Sequence, residues 1–156
     1  MSKLLSTLCM VLIPMSLTLS AKELPSMTEM MDNLNSSGMT NSDDWEQMGD
    51  GFKQNLDTGI IFVAPSSLSS MMVVRGDGEE AIMNSFTYAN IHCSSSSLVA
   101  IDMMQNTNLL NSMMESFTGA LKAYDNKNNT LVWGYKYETK LVKANDGLIA
   151  TCSLLP

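Results

Sequence analysis

The sequence predicts an α+β domain: N-terminal helices, then an antiparallel sheet packed against a long helix of the C-terminal half. Three observations carry that expectation. Residues 107–124 place Leu110, Met114, Phe117, Leu121 and Tyr124 at helical spacing, in register with Met103 just upstream. Residues 130–142, TLVWGYKYETKLV, alternate, with Leu131, Trp133, Tyr135, Tyr137 and Leu141 on one side. Gly134, Lys136, Glu138 and Lys140 fall on the other, the pattern of a half-buried antiparallel strand. Residues 148–155 then return after the Asp-Gly turn signal in KANDG. A helix with one apolar stripe and a sheet with one apolar face bury those surfaces against each other.

In chain order, the first element is a leader. Lys3 supplies a positive start, Leu4 to Leu19 carry no charge, and Thr18 and Ser20 have the size and spacing of a cleavage site, with Ala21 offering a neighbouring cut. That is the layout of a secretory signal peptide over residues 1–21. The apolar run is shorter than the about 20 residues a membrane span needs, and Pro14 interrupts it. Export places the mature chain in the periplasm or outside the cell.

Residues 22–57 form an acidic segment, with eight acids against Lys22 and Lys53. Met27, Met30, Met31 and Leu34 suit one face of a short helix, which Ser26 caps with Glu29 three residues on. A second helix is expected over 44–56, capped by Ser42 or Asp43, with Trp45, Met48, Phe52 and Leu56 on one stripe; Gly49 and Gly51 weaken it by about 1 kcal/mol each. The stretch SMTEMMDNLNSSGMTN, residues 26–41, resembles the mature N-termini of exported conjugation-machinery proteins, and no function is carried over from it.

Residues 58–156 make up the α+β domain. GIIFVAP, 59–65, reads as a buried strand ended by Pro65, and 70–76 as a second. AIMNSFTYANIHC, 81–93, alternates at Ile82, Asn84, Phe86 and Tyr88, and a strand is expected there. The serines at 66–70 and 94–97 are expected in loops. Asn106 or Thr107 caps the long helix, and DNKNN at 125–129 stops it.

Composition narrows the function. The chain carries a formal charge of −7, which becomes −8 when Lys3 leaves with the leader. An acidic protein repels phosphate backbones and anionic membrane surfaces, so nucleic acid is not an expected partner. No segment after the leader is long and apolar enough to span a bilayer.

Of three cysteines, Cys9 leaves with the leader, and the remaining pair predicts a disulfide between Cys93 and Cys152. That pairing makes the only histidine, His92, a bystander to its neighbour. The alternative is a small periplasmic hydrolase using His92, but no serine sits in a Gly-x-Ser-x-Gly elbow. A second alternative is a copper protein, because the mature chain keeps twelve methionines, with pairs at 30–31, 71–72, 103–104 and 113–114. Methionine is equally a filler of cores and adaptable interfaces. Zinc lacks ligands at the right spacing, phosphate-binding loops are absent, and no cofactor is expected.

What remains is binding. Trp133, Tyr135 and Tyr137, with Lys136 and Lys140, form the candidate surface for an unidentified protein partner. The expectation is a small exported non-enzymatic protein, a component or accessory of an envelope or secretion assembly.

Overall fold

The computed structural model describes residues 22–156, Asp146 excepted. The leader expected over 1–21 lies outside the described residues. The chain order is α1 (Met27–Ser36), a 3-10 turn (Ser42–Asp44), β1 (Glu46–Met48), β2 (Gly51–Leu56), β3 (Gly59–Ala64), β4 (Ser67–Val74), α2 (Glu79–Ala100), α3 (Thr107–Lys122), β5 (Lys127–Val132), β6 (Tyr135–Ala144) and β7 (Gly147–Leu155). One antiparallel sheet runs in the order β1-β2-β3-β4-β7-β6-β5. Two meanders therefore meet along β4 and β7, with α2 and α3 inserted between them in sequence. The α+β architecture is as expected.

The first meander begins where the second helix was expected. Gly49, in the left-handed region at φ 64°, makes the tight turn between β1 and β2. Gly51 lies against the Val63 carbonyl with no room for a Cβ. The two glycines that weakened the helix are thus the residues that make a hairpin, and residues 46–56 join the sheet instead. The acidic segment 22–57 is one helix, a 3-10 turn and two strands of the same domain.

Cross-strand partners share a face, and the register sorts the sheet. Leu68, Ser70, Met72 and Val74 of β4 share one face with Leu154, Cys152, Ala150 and Leu148 of β7. That face is covered by α2 and α3, and its side chains merge with Met30, Leu34, Leu98, Met113 and Phe117 of the helices into one core. Phe86 of α2 meets Phe117 of α3 edge to face, with centroids 4.8 Å apart.

The segment expected as a strand at 81–93 is the first part of α2. From Ala89 to Ala100 every residue except Ile91 and His92 is buried, so the helix shows no single apolar stripe. It is enclosed by α1, α3 and the sheet. Ser94–Ser97 are in this helix, not in a loop. The Ser96 and Ser97 hydroxyls donate to the Cys93 carbonyl at 3.1 and 3.0 Å, and Ser96 also meets Ser70 of β4 at 2.8 Å. Small side chains, two of them satisfied by their own helix, let α2 lie close on the sheet.

The long strand expected over 130–142 is a hairpin. Val132 pairs with Tyr135, leaving a two-residue turn of Trp133 and Gly134, both at positive φ, 53° and 89°. Because cross-strand partners share a face, the even-numbered residues of β5 stand with the odd-numbered residues of β6: Leu131 is 66% exposed, while Val132 is buried with Tyr135 and Tyr137.

Candidate functional site

The predicted disulfide is present. Cys93 of α2 and Cys152 of β7 are bonded, with Cα atoms 5.8 Å apart and 59 residues between them in sequence. Both are buried, so Cys93 is a structural residue rather than a nucleophile.

The expected partner-binding set is split. Tyr137 is fully buried and Tyr135 nearly so. The Tyr137 hydroxyl lies near those of Ser94 and Thr139 but forms no well-made hydrogen bond, and burial pushes its pKa well up. Tyr135 donates to the Glu23 carbonyl at 3.2 Å. These two rings are core, because the turn at Trp133 places them on the helix-covered face; a partner cannot reach Tyr137. Trp133 is 52% exposed, and the Lys22 ammonium sits over its ring. The Lys22 amide also donates to the Gly134 carbonyl at 3.3 Å.

Lys136 and Lys140 lie elsewhere, on the sheet face opposite the helices. Among the described residues no element covers that face. Its centre is apolar: Ile60 and Phe62 of β3, Met71 and Val73 of β4, Ile149 of β7 and Val142 of β6 stand side by side by register. Met48, Ile60, Phe62 and Met71 line a shallow cleft of about 300 Å³ there, with Lys53 and Thr151 at its border. Four lysines and two glutamates project from the strands onto this face. Lys53 pairs with Glu46 at 2.9 Å and Lys136 with Glu138 at 3.0 Å. Lys127 and Lys140 stand directly opposite each other across β5 and β6, with no carboxylate in ion-pair range among the described residues. The face is therefore positive in a chain whose total is −7.

His92 faces a different place. It lines a groove of about 520 Å³ between α2, the loop after α1 and the β2–β3 turn. Its Nδ1 is buried without a hydrogen-bond partner, and burial lowers its pKa. Tyr88, one helical turn earlier, holds its ring 5.9 Å from the imidazole. Cys93 and the four following serines turn away into the core. No serine or cysteine is among the residues that line the groove beside His92, where the alternative reading of a hydrolase would need its nucleophile.

Each methionine pair on a regular element is divided by its geometry. Met30, Met72 and Met113 are fully buried, while Met31, Met71 and Met114 are half-buried, Met31 against the edge of the core. They fill the core and one border of the open face. Among the described residues no three His, Cys, Asp or Glu side chains converge as metal ligands, and no helix is long and apolar enough to cross a membrane.

The chain matches no protein-family model, no curated protein and no solved structure.

The open sheet face and the groove were both missed in the sequence. The first depends on the strand order that sets β3, β4, β7 and β6 side by side. The second gathers residues from three separate stretches. A signal for the turn was present in Gly134, placed in the interior of an otherwise regular strand pattern.

Proposed function

We propose that the protein is a small exported, non-enzymatic protein that acts by binding another protein through the open face of its sheet. The observation that carries this reading is the uncovered band Ile60, Phe62, Met71, Val73, Val142 and Ile149, bordered by the unpaired Lys127 and Lys140. An apolar centre with a polar, charged rim is the anatomy of a protein interface. The partner is a protein surface with an apolar patch edged by carboxylates. A second copy offers the same net positive charge, which disfavours a face-to-face pair.

Export is supported by the leader-like opening and by the disulfide, a bond that persists in oxidising compartments. A role as component or accessory of an envelope or secretion assembly fits a binding protein in the periplasm or outside the cell.

Site-specific photo-crosslinking in the living cell tests the reading. A photoreactive side chain at Phe62 or Ile149 is expected to yield a discrete adduct with one other protein, whereas one at Thr118, on the outer side of α3, yields none. Equal adducts from all three positions, or an adduct only with a second copy, would overturn it.

A further inference from the structure

A second site lies away from the sheet face and does not depend on it. The groove beside His92 has a volume of about 520 Å³, within the range of small-molecule pockets. Two carboxylates, Asp44 and Asp57, line it, and no lysine or arginine does. One wall is aromatic. Tyr88 is 53% exposed, with its ring beside that of His92.

The opposite wall is fixed. The buried Gln54 accepts from the Asn41 amide at 3.0 Å and donates to the Asn41 carbonyl at 2.9 Å, tying the loop after α1 to β2. Asn41 in turn accepts from the Asp43 amide at 3.2 Å, which holds the turn carrying Asp44. These contacts set the groove's shape before any ligand arrives, which reduces the ordering cost of binding.

Negative charge, an exposed aromatic ring and no competing cation are the requirements for an organic cation. The ring face attracts positive charge, and the carboxylates neutralise it. A metal ion is a poorer fit, because no three ligating side chains converge among the described residues. His92 is neutral at pH 7, since burial lowers its pKa, and so it does not repel a cation.

We propose that the groove formed by Asp44, Asp57, Tyr88 and His92 binds an alkylammonium group, carried by a small free amine. A lysine side chain of another protein shares that chemistry, and the test separates the two sources. His92 is the only histidine, so its ring Hε1 resonance is the only one of its kind and reports on the groove alone.

The full mature protein is titrated with spermidine, with a short lysine-containing peptide, and with an uncharged diol of similar length. Saturable movement of the His92 and Tyr88 resonances with spermidine, and none with the diol, is the expected result. Movement with the peptide alone would overturn the free-amine assignment and give the site to a protein side chain. Silence with both amines, or equal movement with the diol, would overturn the cation site. The double variant Asp44→Asn/Asp57→Asn, at exposed positions that do not hold the core, is expected to weaken spermidine binding by at least tenfold; unchanged binding there would also count against the proposal.

Discussion

Cys93, two-thirds of the way along α2, is bonded to Cys152 on β7, so the enclosed helix is tied to the strand where the two meanders meet. The bond brackets the last third of α2, all of α3, and the hairpin of β5 and β6. It fastens the face of the sheet that the helices cover and leaves the opposite face unobstructed.

Loss of that bond should be costly. Closing a loop of this length is worth about 4 kcal/mol in the chain-entropy description. Denaturant unfolding with and without a reductant is expected to show a difference of that order. Superimposable curves would mean that the covalent link adds nothing to the packed core.

Tyr137 makes two opposite expectations. Its ring fills the core, so Tyr137→Ala should cost about 3–5 kcal/mol, by analogy with other large aromatic truncations. Its hydroxyl is buried without a well-made partner, so Tyr137→Phe should be neutral or stabilising at pH 7. In the unfolded chain the phenol ionises near pH 10, while burial raises the native pKa. Above about pH 10 the unfolded state therefore holds fewer protons, and stability falls as pH rises. Thermal melts of the wild type and the Phe variant across that range should diverge, with the variant losing less.

His92 acts in the other direction. Its native pKa is lowered by burial, whereas an unfolded histidine titrates near pH 6.5. Below about pH 6.5 the unfolded chain binds more protons than the native one, and stability declines on acidification. His92→Gln should flatten the wild-type curve between neutral and mildly acid pH. Parallel curves for the two proteins would show that the imidazole is not desolvated.

Export has its own readout. Intact-mass analysis of protein from the envelope fraction should show the loss of residues 1–20 or 1–21. Recovery of the full 17.1 kDa chain would contradict the leader.

The parts legible in the sequence were those with a clean period or a local signal. The stripe Leu110, Met114, Phe117 gave α3, the run 59–64 gave β3, and the cysteine count gave the disulfide. α2 was hidden because burial on nearly all sides leaves no period to read, and because four serines imitate a loop although all four lie buried in the helix and two of their hydroxyls bond back into it. The hairpin of β5 and β6 was hidden because its turn holds a tryptophan, where asparagine is the common signal. The open face could be seen only once the strand order brought β3, β4, β7 and β6 side by side. The groove needed residues from 38 to 92 brought together, which no local pattern encodes.

The most direct test of the proposed function is charge reversal at the border of the open face. Lys127→Glu with Lys140→Glu replaces the unpaired lysines with carboxylates while leaving every buried residue in place. If an acid-edged partner binds there, the adduct formed from a photoreactive group at Phe62 should disappear in the double variant, with the melting temperature little changed. An adduct of undiminished yield from a folded double variant would contradict the account.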